Sequence, residues 1–141
     1  MKLSKIWFAA PLLAINPVVA NGQDQQPVAQ QAQDEARIAA VQRHVDAYRS
    51  GNLDQFVATF TPDAEVYANG MVARGQNEIR ELYRLNFQPG APKIRIHDSG
   101  IAGNFVYLSV GYVTSDGQEI CCSYSEYEVR DGKISYLAAS G

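Results

Sequence analysis

Few side chains in this 141-residue chain suit chemistry near neutral pH: His44, His97, the adjacent pair Cys121-Cys122, and eight tyrosines. His44 is the natural proton carrier among them, because an unperturbed imidazole titrates close to physiological pH. It falls on the flank of an apolar stripe, one helical turn before Tyr48 and close to Val41, which puts it at the edge of a core. Phenols combine a ring wall with a hydroxyl tip, so a cavity lined by several of them suits a planar organic ligand. Tyr48, Tyr67, Tyr112 and Tyr127 are the candidates. Neighbouring residues on a strand point to opposite faces, and their α-carbons lie closer than the usual disulfide span. Cys121-Cys122 therefore reads as one buried and one half-exposed thiol. His44 and His97 stand on different elements, and no His, Cys or acid run has metal-ligand spacing, so no metal or other cofactor is expected. Ser123 and Ser125 lack a Gly-x-Ser-x-Gly elbow. No glycine-rich phosphate loop occurs, and 100–103 (GIAG) reads as a turn.

The elements that position these residues follow from periodicity. Ile38, Val41, Val45 and Tyr48 recur at helical spacing and predict a helix over 34–50, with Gly51 as its left-handed stop. Asn52 caps a short second helix that buries Leu53, Phe56, Val57 and Phe60, and Thr61-Pro62 ends it. Residues 64–68 and 71–74 form a hairpin about Asn69-Gly70. A third helix opens at Gly75 and turns Ile79, Leu82, Tyr83 and Phe87 to the core. Beyond Pro89-Gly90 the period becomes two, which predicts strands over 93–98, 105–114, 119–130 and 133–138, the last three joined by turns at Asp116-Gly117 and Asp131-Gly132. The expected fold is α+β: a cone in which three N-terminal helices pack on a strongly curved, mostly antiparallel sheet.

Read in order, VQRHVDAYRSGNLDQFVATFTPDAEV and GQNEIRELY resemble the nuclear transport factor 2-like superfamily, in its SnoaL-like and ketosteroid isomerase-like branch. The resemblance covers residues 35–141. It implies a pocket at one end of the cone. Isomerases of that family use a helix-one Tyr as oxyanion donor, a first-strand Asp as base and a protonated late-strand Asp. The matched positions here hold His44, Ala68 and Ser125. An Ala cannot move a proton, so the isomerase mechanism does not carry over intact. The scaffold hosts enzymes and non-catalytic binders alike, and fold does not decide between them. The leading expectation is a binder of a small, largely apolar or aromatic molecule, with Tyr48, Tyr67, Tyr112, Ser125 and Tyr127 lining the pocket. One alternative is an isomerase or a lyase (dehydratase) that uses His44 with Tyr and Ser hydroxyls. The other is a homodimeric association module. For it, strict alternation along 119–130 would put Ile120, Cys122 and Tyr124 together on the outer sheet face.

Ahead of the domain, residues 1–20 carry the basic, apolar and small-residue parts of a secretory signal, while 21–34 is Gln-rich and reads as a flexible leader. The apolar run is about 15 residues, short of the roughly 20 that span a bilayer. Cleavage after Ala20 removes two Lys and no acid, taking the formal charge from −3 to −5. An acidic chain with no basic cluster does not suit nucleic acid or anionic membrane surfaces. The chain is expected in the periplasm or secreted. Intact mass of the exported protein should place the mature N-terminus at Asn21, and a full-length chain held in the membrane fraction would contradict this.

Overall fold

The computed structural model describes residues 27–141; the signal-like run 1–20 and residues 21–26 of the leader lie outside the described residues. Helix α1 spans Val28–Arg49 and so begins six residues before the periodicity predicts. Those residues are mostly Gln and Ala, good helix formers that carry no apolar stripe for a pattern to detect. Pro27 precedes the helix, and its carbonyl accepts from the Gln30 and Gln31 amides. One turn on, Asp34 accepts from Gln30 at 2.9 Å and from Arg37 at 3.2 Å. The buried stripe of α1 also differs from the expectation. Ile38 is 47% exposed, while Val41, His44 and Val45 are sealed.

Gly51 takes φ +72, the left-handed stop that only glycine adopts without strain. Asn52 caps α2 (Leu53–Ala58), its side chain accepting the Gln55 amide at 3.1 Å. The helix ends at Ala58 rather than at Thr61-Pro62, and Phe60 already belongs to the first strand. Thr59 makes the break, turning its hydroxyl back to the Phe56 carbonyl at 2.6 Å.

Strand β1 (Phe60–Ala68) and β2 (Met71–Arg74) form the expected hairpin, with both Asn69 and Gly70 at positive φ. Helix α3 (Gly75–Tyr83) runs on into a 3-10 turn at Arg84–Phe87. Its Ile79 is fully buried, and Leu82, Tyr83 and Phe87 pack on the core as predicted. Then come β3 (Lys93–Ala102), β4 (Phe105–Val113), β5 (Glu119–Arg130) and β6 (Lys133–Ser140). The segment Gly100–Gly103, expected to turn, mostly continues β3, and the chain reverses at Gly103-Asn104.

The sheet order is β2-β1-β6-β5-β4-β3. All neighbours are antiparallel except β1 and β6, whose parallel pairing joins the first hairpin to the meander. Register shifts interrupt four of the five pairings, and such bulges bend a sheet and deepen its twist. The helices cover the concave face, where Phe56, Phe60, Ile79 and Ile134 are buried completely or nearly so. Among the described residues no helix is long and apolar enough to cross a membrane.

One bulge overturns a detail of the sequence reading. Val110 pairs with Ser123 and Tyr112 with Ile120, so Gly111 faces both Cys121 and Cys122. The extra residue switches parity along β5. Ile120 thereby joins the Tyr112 side of the sheet, whereas Tyr124 stays outside and stacks on Tyr107 with ring centroids 5.8 Å apart. The single outer patch of Ile120, Cys122 and Tyr124 expected for a homodimer is split between two faces.

The change in the α1 stripe can be measured. Ile79→Ala should lower stability by about 2–5 kcal/mol, whereas Ile38→Ala should stay within about 0.5 kcal/mol. Urea midpoints compared at equal slope test both.

Candidate functional site

A small chamber of about 60 Å³ lies under the helices, at the heart of the cone. It opens past Tyr83, Asn86, Tyr112 and Ala139 into a mouth of about 640 Å³ between the α3 end and the tips of β5 and β6. Helix α1 delivers His44 and Tyr48 one turn apart, β4 delivers Tyr112, and β5 delivers Ser125 and Tyr127 two residues apart on one face. Five of the six residues expected at the site are thus brought together. Tyr67 is the exception. It alternates with buried Val66 and Ala68, points to the other face of the sheet, packs on Tyr136 and donates to Glu65 at 2.8 Å. The period of two in β1 decides this, and it separates Tyr67 from the cone.

His44 is 3% exposed and is enclosed by Phe56, Phe60 and Tyr127, with ring centroids at 4.7, 5.0 and 5.3 Å. Its Nδ1 lies 2.8 Å from the Thr59 hydroxyl oxygen. Thr59 has one proton, and the Phe56 carbonyl, which can only accept, takes it. His44 must therefore donate from Nδ1, which leaves Nε2 as a bare acceptor. Burial pushes the imidazole pKa down to about 3, so the ring is neutral at physiological pH. The resemblance implies an oxyanion donor at this position; the hydrogen bonding here makes the free nitrogen an acceptor instead.

The phenols are shifted the opposite way. Burial raises Tyr83, and it raises Tyr127 despite the Ser125 hydroxyl beside it. It also raises Tyr48, whose oxygen accepts from Asn86 at 3.2 Å. These groups remain protonated donors across the physiological range. Ala68, matched to the family's base, lines the mouth. Among the described residues, no Asp, Glu, Lys or Arg lines either chamber or mouth. The site offers neutral donors and neutral acceptors, the latter including His44 Nε2, the Asn86 amide oxygen and the Ser125 hydroxyl, within aromatic walls.

Two chamber residues escaped sequence reasoning. In the sequence Tyr83 reads simply as core, and nothing in the type of Asn86 marks it. The helical spacing that turns Ile79 and Tyr83 inward continues three residues on to Asn86, which was the available clue.

The pattern of Val41–Leu137 matches the family model of the SnoaL-like domain over residues 41–137. The fold is shared with a candidate polyketide cyclase from Sinorhizobium meliloti, 20% identical, covering 72% of this chain and 93% of the other at TM-score 0.64. A nuclear transport factor 2-like protein of unknown function from Mesorhizobium loti is 16% identical, with 77% and 94% covered and TM-score 0.65. A candidate ketosteroid isomerase from Kribbella flavida is 16% identical, with 76% and 78% covered and TM-score 0.65. No curated protein matches by sequence. At these identities the likeness is one of fold.

The buried imidazole makes stability depend on pH. An unfolded His44 takes up a proton below about 6.5, while the folded one resists until about 3. The unfolded state therefore binds more protons between those values, and stability is full above pH 6.5 and falls on acidification. Between pH 6.5 and 5 the loss should be on the order of 1–2 kcal/mol, before carboxylates begin to titrate. Thermal melts should show this slope in the wild type and a flatter one in His44→Phe.

Proposed function

The chain belongs to the SnoaL-like domain family, and on that premise we propose that it binds a small, uncharged, largely apolar organic molecule in its cone. The observation that carries this reading is the pairing of two spaces. The mouth, of about 640 Å³, falls within the ~300–1,000 Å³ typical of small-molecule sites. The chamber behind it has room for little more than a polar tip. The body of the ligand lies in the mouth against Leu82, Ala68 and Ile120, and a carbonyl or hydroxyl reaches inward to Tyr112 and Tyr83. An anionic ligand would find no Lys or Arg in the lining, and burying it unpaired would be costly.

An isomerase or lyase remains the natural alternative on this scaffold, and two structural neighbours bear candidate names of related kinds. Here the imidazole has committed its proton to Thr59, and the position of the family's base is Ala68. These features favour binding without turnover. Export is part of the proposal: the signal-like run 1–20 would place the ligand outside the cytoplasm.

Mass spectrometry of the purified protein should reveal a co-purifying neutral organic compound, and adding that compound back should raise Tm. Tyr112→Phe should weaken its binding by about tenfold, roughly 1.4 kcal/mol. No bound compound, together with no shift across a panel of neutral apolar molecules, would remove the proposal. Turnover of the compound that drops 10²-fold or more in His44→Gln would replace binding with catalysis.

A further inference from the structure

On the opposite side of the β5 bulge from the chamber, three strands bring together side chains far apart in sequence. His97 is the residue left over where the β3–β4 register slips between Ile96 and Asp98. Cys121 and Cys122 together face Gly111 across the β4–β5 slip. Strands β3 and β5 are not neighbours; β4 lies between them, so their side chains are separated by two strand spacings, or about 9.6 Å. They meet because the residue between them is Gly111. A Cβ there would fall on the Glu119 carboxylate and within 2.9 Å of His97 Nε2. Through this gap the donor atoms of His97, Cys121 and Cys122 all come within 4.8 Å of one another, and all three residues are exposed to solvent. The Glu119 carboxylate contacts His97 Nε2 and accepts from Arg95 at 2.8 Å.

We propose that Cys121, Cys122 and His97 form a binding site for a thiophilic transition-metal cation of the Zn²⁺ class. Two thiolates and an imidazole are the donor set such a cation prefers. With bond lengths of about 2.3 Å to sulfur and 2.0–2.1 Å to nitrogen, tetrahedral donors lie about 3.5–3.8 Å apart. To reach that spacing the two sulfurs, once reduced, have to part and the imidazole has to stay within reach, both by rotation of exposed side chains. Glu119 is the positioning residue. It takes the N–H at Nε2, leaves Nδ1 to ligate, and holds the ring in place, as carboxylates do behind metal-bound histidines. Cys121 and Cys122 also line the mouth of the cone, whereas His97 and Glu119 do not, so the metal site sits at the rim of the organic-ligand space.

In place of the expected one buried and one half-exposed thiol, both cysteines are exposed and their two sulfurs are paired with each other, because the bulge opposite Gly111 breaks the alternation that would have separated them. Ligation needs the dithiol. A thiol reductant supplies two electrons and two protons to the S–S bond and is itself oxidised to a disulfide. The cation then displaces the two thiol protons to solvent. The oxidised pair has no thiolate to offer, so metal uptake is confined to the reduced protein.

The test is titration of the reduced purified chain with Zn²⁺ against a chromophoric chelator, with Co²⁺ as an optical probe. One equivalent should bind, and the Co²⁺ form should show thiolate-to-metal charge transfer. Cys121→Ser and Cys122→Ser should each abolish that band. His97→Gln should weaken binding at least tenfold, and Glu119→Gln by about 10–100-fold. The oxidised chain should bind none. Circular dichroism of the variants should match the wild type, since all four side chains lie outside the core. Absence of stoichiometric binding to the reduced wild type would overturn the proposal. So would a charge-transfer band that survives both Cys variants, or His97→Gln binding as tightly as the wild type.

Discussion

An imidazole sealed inside an aromatic cage has to be neutral and has to place its one N–H. His44 meets both conditions, and much of the cone is organised around how it does so. Its ring touches Phe56 of α2, Phe60 of β1 and Tyr127 of β5, so three elements converge on one side chain of α1. Its proton goes to Thr59, the residue at which α2 stops and β1 starts. The carbonyl of Thr59 in turn accepts the Ile134 amide at 2.9 Å, opening the parallel β1–β6 pairing. A single hydrogen-bond chain therefore links the first helix to the strand crossing that closes the sheet. Charging the ring at Nε2 would leave the Thr59 bond in place but bury a cation among aromatic rings, and that desolvation holds the pKa low.

That structural duty limits the chemistry available to the site. An imidazole that acts as general acid or base must exchange protons near working pH, and this one does not. The phenols around it are pushed the other way and hold their protons. What remains is a set of neutral donors with fixed positions, suited to recognising a polar tip on an apolar molecule. The volumes agree with this division, with a wide mouth for the body of a ligand and a chamber for its tip.

Bulges have more influence on this protein than any single strand. The slip opposite Gly111 changes the parity of β5, moves Ile120 to the mouth, and leaves Tyr124 outside with Tyr107. The same slip, with that at His97, directs polar and sulfur side chains over the gap at Gly111. Bulges commonly re-aim side chains near functional sites, and here one irregularity shapes the cone's mouth and the cluster of His97, Cys121 and Cys122 at its rim.

By itself the sequence determined the order of elements, the helix-breaking positions Gly51 and Asn52, the hairpin at Asn69-Gly70, the inward face of α3 and the inward side of Ser125 and Tyr127 on β5. These rest on local rules, such as side-chain period, glycine's left-handed freedom and Asn capping, that act over a few residues. It also placed His44, Tyr48, Tyr112, Ser125 and Tyr127 at one end of the cone, through periodicity and the family resemblance. Tertiary structure alone decided what depends on partners distant in the chain. The Gln-rich start of α1 shows no apolar pattern, so its helix was not legible beforehand. Tyr67 faces away because β1 is buried on its Val66 side, and the His44 proton is assigned by Thr59, fifteen residues on. The meeting of His97 with Cys121 and Cys122 needed two register slips and a glycine on the strand between them. No spacing in the sequence records a bulge, because pairing register is set by the whole sheet and not by either strand alone.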